Sequence, residues 1–594
     1  MASLGVSLLR SIDHGPVVRM LAASPHRGSR TEVVSRGLCT LGTSDDPDMP
    51  EAWIADERDL SVAFTGRLDN ADELRKLLEG ESESPLGHSP ASVVAALFRR
   101  HGETAPAFMR GSFAVAITDG ERLWAFRDQL GFRSLFHRAD AGRTFVASEA
   151  KQVAAGAQIA REPDTDVLEA IFYMELDDET PSALRGVARL PKATLLLAEA
   201  TGARRRPYWR PETLLETADF PADELGMRFE RLMTQAVERV MTGDDCVSLS
   251  GGIDSPAVAA FAAPAHVRLF NTAISAFSAL YPNQPSVDES EFIRLVADAF
   301  GMPLFTYDRA AKPMEDVKQW VDLFDGPVPT ILVSDAHEHY SKAQALGFRT
   351  MLTGEIAEFV FDMRTDVLPH LVRQGRLGPA ARRVRAQLAK GVPVHAVARQ
   401  IASALEPPSI ARAVSRRNPP FQVSRAPAWL DSSHIHRSVL RAPRPAGARW
   451  RLAQLAAFIG PGLTMESDEV LQAVCGIRSR RPWADVDLWS LFLSLPAEAK
   501  HPDSSYKGLV RRLLRGRVPD EILDRTQKTV FNDSILARMD YAELGRLLDG
   551  PEWRMPGVDY TLLHDRIAEQ HMDVAECIWA KDLAATHAFL SLWT

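Results

Sequence analysis

Cysteine is scarce in this 594-residue sequence: Cys39, Cys246, Cys475 and Cys577 stand far apart and show no CxxC spacing. That excludes a disulfide framework or a cysteine zinc site and leaves the four as buried small hydrophobes. Long apolar runs are missing too, and residues 1–10 are too short and too weakly apolar for a secretion signal, so a cytoplasmic protein with no membrane partner is expected. An excess of basic charge is also lacking: the net charge is −9 and the pI near 6.0, which argues against non-specific nucleic-acid binding. No tandem repeat or low-complexity tract stands out. Hydrophobic residues at 45% and charged residues at 25% mark an ordinary globular composition, and the length exceeds what one core supports, so several domains are expected.

What is present is a loop at residues 247–255, reading Val-Ser-Leu-Ser-Gly-Gly-Ile-Asp-Ser. A short apolar run, then paired glycines, then a helix-compatible run over 256–263 place the glycines at a strand-to-helix turn. Gly251 and Gly252 let the backbone approach an anion while N–H groups and the helix N-terminus point at it. Ser250 and Ser255 add hydroxyl donors, and Asp254 sets a carboxylate where it can hold Mg²⁺ against phosphates. The loop lacks the lysine of GxxxxGK[ST], so it is not a Walker A loop. It resembles the pyrophosphatase loop of enzymes that split ATP into AMP and pyrophosphate and adenylate a carboxylate, carbonyl or amide oxygen.

Strand-like runs over 60–64, 112–118, 122–126, 144–147 and 193–197, with a helix over 92–100, indicate a β-rich α+β domain up to about residue 202. The Arg204-Arg205-Arg206-Pro207-Tyr208-Trp209-Arg210-Pro211 segment reads as a linker. A helix follows over 221–240. Beyond the glycine loop, strands over 267–274, 304–307 and 349–352 alternate with a helix over 289–300, which implies a parallel sheet with ligand at the carboxyl ends of its strands. Residues 373–417 form an Arg- and Ala-rich helical stretch with almost no acidic residues. It is either a solvated helix surface or a basic face for an acidic peptide or phosphate.

Several further pieces stand in a telling order. The first half holds His26-Arg27-Gly28, Thr65-Gly66-Arg67-Leu68-Asp69-Asn70, Met109-Arg110-Gly111-Ser112-Phe113-Ala114, Phe126-Arg127-Asp128-Gln129-Leu130-Gly131 and Ala147-Ser148-Glu149-Ala150-Lys151. The second half holds the Ser250 loop, Asp288-Glu289, Leu352-Thr353-Gly354-Glu355-Ile356-Ala357-Glu358, Arg480-Arg481-Pro482-Trp483-Ala484-Asp485 and Arg525-Thr526-Gln527-Lys528-Thr529-Val530-Phe531. With these, the sequence resembles the glutamine-dependent asparagine synthetase superfamily over nearly its whole length. The resemblance implies an Ntn-hydrolase-like β-sandwich flanked by helices over 1–205 and a linker over 206–220. It implies an α/β ATP-pyrophosphatase domain with a parallel sheet over 221–594, carrying an Arg-rich helical insertion at about 365–450.

The departures are as informative. Glutaminases of this superfamily carry a cysteine after the initiator Met, whose thiolate attacks the glutamine amide. Here the sequence reads Met1-Ala2-Ser3, the Asn-Gly of the glutamine pocket is Thr65-Gly66, and the acidic residue that grips the glutamine amine falls at Pro90. Ser3, exposed by processing, would be the alternative nucleophile. The first domain is expected to be a scaffold without glutaminase activity, which leaves an amine of the substrate itself as the nucleophile.

By resemblance, Ser248, Leu249, Ser250, Gly251, Gly252, Asp254, Ser255, Thr353, Gly354, Asp288 and Glu289 contact ATP, while Asp254 and Glu358 hold Mg²⁺. Asp288 serves equally well as a helix N-cap, and Glu358 as a surface carboxylate. Glu355 is the candidate base for the attacking amine or, alternatively, a loop cap. Lys528 neutralises charge at the α-phosphate, a term that often dominates such catalysis. Arg525 is a phosphate or structural partner, and Arg480 braces the loop through a salt bridge.

The expected reaction is that of a lasso-peptide macrolactam synthetase. ATP and Mg²⁺ serve adenylation of an Asp or Glu side chain of a precursor core peptide, whose N-terminal amine then closes an isopeptide ring. A leader-binding protein and a leader protease are the implied partners. A β-lactam-synthetase-like ligase on a small molecule, a glutamine-independent asparagine-synthetase-like ligase and a non-catalytic scaffold are the alternatives.

Overall fold

The computed structural model describes all residues except 80–86, 141, 329–331, 359–366, 406–425, 432, 435–453, 456–457, 459–461, 503–505, 526–528, 530 and 594. Two six-stranded antiparallel sheets build the first domain. One runs in the spatial order Ala188–Arg189, Phe136–Asp140, Arg143–Ala147, Ser3–Leu8, Cys39–Asp45, Arg30–Arg36. The other runs Gly202–Pro207, Thr194–Glu199, Leu123–Arg127, Gly111–Thr118, Ser61–Leu68, Ala52–Asp56. Alternation puts Leu4, Val6, Leu41 and Val146 of the first against Ala63, Ala116, Ala125 and Leu196 of the second, in one apolar cluster. Helices cover the outer faces: Gly15–Ala22 lies against the first sheet, and Pro90–His101 against the second. The expected α+β sandwich is therefore present.

Two local expectations are overturned. Arg204–Pro207 is no linker, because Gly202–Pro207 pairs antiparallel with Thr194–Glu199 through a tight hairpin. All six residues of this edge strand are exposed, so its charge hides the strand pattern. The apolar run 267–274 is not a strand either. The helix Asp254–Phe270, nearly all of it buried up to His266, carries on through Val267 and stops at Asn271 in the left-handed conformation (φ 57°). The next strand starts only at Ser275.

The second domain is organised on a five-stranded parallel sheet, in the order Leu304–Asp308, Ser275–Leu280, Asp245–Ser248, Thr350–Leu352, Arg478–Arg480. Sequence order runs outward from the central Asp245–Ser248 strand first to one side and then to the other. The crevice at its carboxyl end is thus a topological switch point, where such sheets bind ligands. The described part of the Arg-rich stretch forms the helices Val367–Arg373, Leu377–Ala389 and Val394–Leu405 around a small core of Val367, Leu368, Leu371, Ala380 and Val397. No helix among the described residues is long and apolar enough to cross a membrane.

The domains meet through buried ion pairs. Helix Leu463–Cys475 of the second domain presents Glu466 and Glu469. Glu466 takes Arg189 at 2.9 Å and Arg127 at 3.2 Å; Glu469 takes Arg27 at 2.8 Å and Arg133 at 3.4 Å, and also accepts from Ser134 N and Oγ at 2.8 Å. Burial disfavours the Glu469 carboxylate, but Arg27 and Arg133 outweigh it and hold the group below its ordinary range. Glu469→Ala would take a carboxylate from two buried guanidinium groups, leaving Arg27 with Glu149 alone and Arg133 with Glu51 alone, so chemical denaturation should show a loss of roughly 3 kcal/mol. Arg204→Ala, which cuts a 3.7 Å pair with Glu199 at a 70% exposed side chain, should cost less than about 1 kcal/mol.

Candidate active site

The glycine loop leaves the central strand and enters the helix Asp254–Phe270, as its composition predicts. Ser255 Oγ folds back to accept from Ser250 N and to contact Ser250 Oγ, both at 2.9 Å, closing the turn. Gly251 N donates to Glu289 Oε2 at 2.9 Å. A Cβ on Gly251 would come within 2.9 Å of Glu289 and of Arg525, so glycine is required here by close packing. Gly354 is held the same way: a Cβ would lie 2.5 Å from Ser255 N and 2.7 Å from the Asp254 carbonyl carbon.

Two adjoining cavities open on this loop. The smaller, about 140 Å³, is lined by Ser250, Gly251, Gly252, Asp254, Glu289, Tyr506, Lys507, Arg511, Arg525 and Thr529. Lys507 is buried, at 2% side-chain exposure, and its Nζ pairs with Asp254 Oδ2. Arg525 pairs with Glu289 at 3.1 Å, donates to Gly251 O and stacks on Phe292 at 4.1 Å. Three cationic side chains thus surround a glycine turn whose own countercharges are Asp254 and Glu289. That is a chemistry for a polyanion such as pyrophosphate.

The larger cavity, about 750 Å³, extends over the carboxyl ends of the strands. Ser248, Leu249, Ser250, Asp254, Ser255, Glu289, Thr353, Gly354, Glu355 and Glu358 all reach its wall, so most of the expected site residues converge. Thr353 Oγ1 is buried without a hydrogen-bond partner among the described residues, which leaves a hydroxyl for a ligand. Asp254 and Glu358 supply carboxylate oxygens to the same space. No group of three or more potential ligand side chains gathers among the described residues. This donor set fits Mg²⁺, which takes one or two carboxylates and completes its shell with phosphate oxygens and water.

Other expectations divide. Ser248 Oγ bonds His339 Nε2 at 2.9 Å, and His339 Nδ1 meets the Tyr307 hydroxyl at 3.0 Å. Leu249 spends its N–H on Phe277 O at 3.0 Å and its carbonyl on Ser278 at 2.7 Å, so it is a wall of the site. Asp288 is exposed and caps Ser290 N at 3.1 Å, outside both cavities, while the adjacent Glu289 turns inward. Glu355 caps no backbone groups: its Oε2 pairs with Arg481 Nε at 2.6 Å. Arg481 also reaches Asp468, which accepts from the Tyr340 hydroxyl at 2.8 Å. Lys528 lies outside the described residues.

Sequence reasoning missed Lys507, Arg511 and His339. The spacing of Lys507 and Arg511, one helical turn apart, was the available signal. The far wall, where Arg538 grips Asp335 at 2.6 and 2.9 Å and Arg309 pairs with Glu338 at 3.0 Å, carried no sequence signal at all.

In the first domain Ser3 is fully buried in its strand, bonded to Ser44 Oγ at 2.8 Å and to Gln152 Nε2 at 3.1 Å, so in this chain its hydroxyl is part of the core. All four cysteines are buried, and burial raises each thiol, Cys39 and Cys475 to about 11. Pro90 begins the helix Pro90–His101 behind its Ser89 cap.

Residues 228–587 match the asparagine synthase family, and residues 12–209 match the glutamine amidotransferase domain. This chain belongs to the asparagine synthase family. Among relatives of this family member, asparagine synthetase [glutamine-hydrolyzing] 3 of Bacillus subtilis is 28% identical over 260 residues, 41% of each chain. Carboxyethyl-arginine beta-lactam-synthase of Streptomyces clavuligerus is 28% identical over 248 residues, 40% of this chain and 45% of that one. A putative asparagine synthetase of Mycobacterium bovis is 23% identical over 515 residues, 81% of this chain and 74% of that one. The matches thus span less than half the length of the Bacillus and Streptomyces relatives.

Gly354→Ala should leave the fold intact and weaken binding of Mg²⁺·ATP by about tenfold or more (~1.4 kcal/mol) in calorimetry, because the added methyl strikes backbone of the loop. The cavity also makes a pH prediction. Burial, then Arg309, lower His339 from 6.5 to about 3. The unfolded state therefore takes up more protons as pH falls below about 6.5, and stability drops with it. Buried His137 and His587, lowered to about 4, act in the same direction. The melting temperature of wild type should fall between pH 7 and 4.5, and His339→Gln should flatten that slope.

Proposed function

We propose that this chain is an ATP-dependent amide ligase that adenylates an Asp or Glu side chain of a precursor core peptide and closes an isopeptide ring on the peptide's N-terminal amine, as lasso-peptide cyclases do. The observation that carries the reading is a glycine loop ringed by three cationic side chains, joined to an amidotransferase-like domain in which Ser3 and Cys39 are both buried, the thiol raised by that burial. The amine must then come with the substrate.

In the reaction, a substrate carboxylate oxygen attacks the α-phosphorus and pyrophosphate leaves. Lys507, Arg511 and Arg525 receive the departing charge within the small cavity. Asp254 and Glu358 would hold Mg²⁺, which supplies charge neutralisation on the phosphates. Lys528, placed by family resemblance alone, would neutralise the α-phosphate. The amine attacks the acyl carbon, AMP leaves, and Glu355 takes the ammonium proton. The 750 Å³ cavity accommodates a nucleotide and part of a second substrate together. A leader-binding protein and a leader protease are the partners this reading requires, in the cytoplasm.

The beta-lactam-synthase relative favours a second reading, ring closure on a small molecule. Incubation with ATP, Mg²⁺ and the leader-free peptide, its processing partners present, should yield AMP and a peptide lighter by one water in mass spectrometry. AMP released only with small amino acids, the peptide unchanged, would select the second reading. Glutamine should give no glutamate, and Lys507→Met should cut turnover on the order of 10²–10³-fold, the loss typical of one such donor.

A further inference from the structure

Glu51 belongs to the first domain, at the start of the strand region Ala52–Asp56, and is 3% exposed. Its carboxylate is shared by three guanidinium groups. Oε1 meets Arg480 Nη2 at 2.6 Å and Arg478 Nε at 2.9 Å, and Oε2 meets Arg133. Arg133 comes from the same domain, but Arg478 and Arg480 form the edge strand of the nucleotide sheet. The neighbouring Met49 adds its carbonyl to Arg478 Nη2 and its sulfur to Arg349 Nη1 at 3.7 Å. The first domain therefore grips the sheet edge at a single buried anion.

What that edge strand holds is the site. Arg480 O accepts from Thr353 N at 2.8 Å, the residue whose free hydroxyl lines the large cavity. The next residue, Arg481, holds Glu355. Thr353 leads into Gly354, which packs on the first turn after the glycine loop. From Glu51 to the phosphate loop the path is thus Arg480, Thr353, Gly354, Asp254, each link a hydrogen bond, a peptide bond or a backbone contact.

Electrostatics make the link demanding. Burial, with Arg67 next, lowers Arg480 to about 9 despite Glu51. Burial works against the Glu51 charge as well, but Arg133, Arg480 and Arg478 together hold its carboxyl well below the ordinary range. Without that anion, Arg133, Arg478 and Arg480 would crowd one another in a space closed to water, and two of the three belong to the short edge strand.

We propose that Glu51 is a positioning residue for the nucleotide site, acting across the domain interface through Arg480 to fix the Thr353–Gly354–Glu355 turn. The amidotransferase-like domain, on this view, supplies a part that the ligase site needs. The proposal rests on the reading of the cleft as an ATP site.

The test uses the full chain, Mg²⁺ and α,β-methylene-ATP, with binding by calorimetry and the melting temperature without nucleotide. Glu51→Gln should weaken binding about tenfold or more. Arg110→Ala, which removes another interdomain pair, with Asp487 at 2.8 Å, should change it less than about twofold. Adding Arg480→Met to Glu51→Gln should restore much of the lost affinity, since one of the three crowded cations, the one whose backbone holds Thr353, is then gone. If Glu51→Gln does not fold, Glu51→Asp retracts the carboxylate by one methylene and should weaken binding at least about threefold. Unchanged binding in the Glu51 variant, an equal loss in Arg110→Ala, or no recovery in the double variant would each overturn the proposal. Wild type that fails to bind the analogue would overturn the ATP-site reading and this one with it.

Discussion

Guanidinium groups buried between the two domains set the terms for the rest of the molecule. Arg27, Arg127, Arg133 and Arg189 have lost nearly all contact with water, and each finds a carboxylate on Glu149, Glu466, Glu469 or Glu51. Such pairs add little net stability against an apolar interface, but a mismatch in them is expensive. Their value is in specifying one docking geometry. Because Glu466 and Glu469 sit three residues apart on one helix, the first domain can seat only where both carboxylates meet their partners.

That geometry gives the amidotransferase-like domain a structural part in the molecule. Its Arg27, within the His26-Arg27-Gly28 motif, crosses to Glu469, and Glu149, within Ala147-Ser148-Glu149, holds Arg27 from its own side. Arg27, part of a motif that carried the family resemblance, is in the folded chain one of the residues that anchor one domain to the other. The sheet edge that Glu51 holds is the strand Arg478–Arg480, and it carries the turn that forms one side of the candidate nucleotide cleft.

Legibility in the sequence followed the range of the interactions. The glycine loop was readable because its chemistry is local: Ser250, Gly251, Asp254 and Ser255 act within six residues of one another. Its central place in a parallel sheet followed from the strand and helix alternation. Glu289 was readable only through motif resemblance, and Asp288 beside it could not be separated from a helix cap until the turn was seen. Lys507 escaped because its partner Asp254 is 253 residues away. Glu466 and Glu469 look like the polar side of an amphipathic helix, and nothing local shows that this side is buried. Arg480 was expected to brace the loop by a salt bridge, but no pattern in the sequence points to Glu51, 429 residues earlier, as its partner. The strand expected over 267–274 failed for the opposite reason: a short apolar run fits either structure, and the buried helix before it did not stop.

The Glu355 pair bears on how an intramolecular amide former would work. Arg481 is 7% exposed and fixed by Asp468 as well, whereas Glu355 is 52% exposed and faces the cavity. One side of the carboxylate is therefore held by a permanent cation while the other is open to a substrate ammonium. A carboxylate held this way is oriented before an amine arrives. Transfer becomes favourable when the amine gives up its proton as it bonds to carbon, since the attacking nitrogen is then far more acidic than a free ammonium. On the proposed reading, in which a substrate carries both its carboxylate and its amine, what such a carboxylate needs is placement, and placement is what the Arg481, Asp468 and Tyr340 chain of contacts provides.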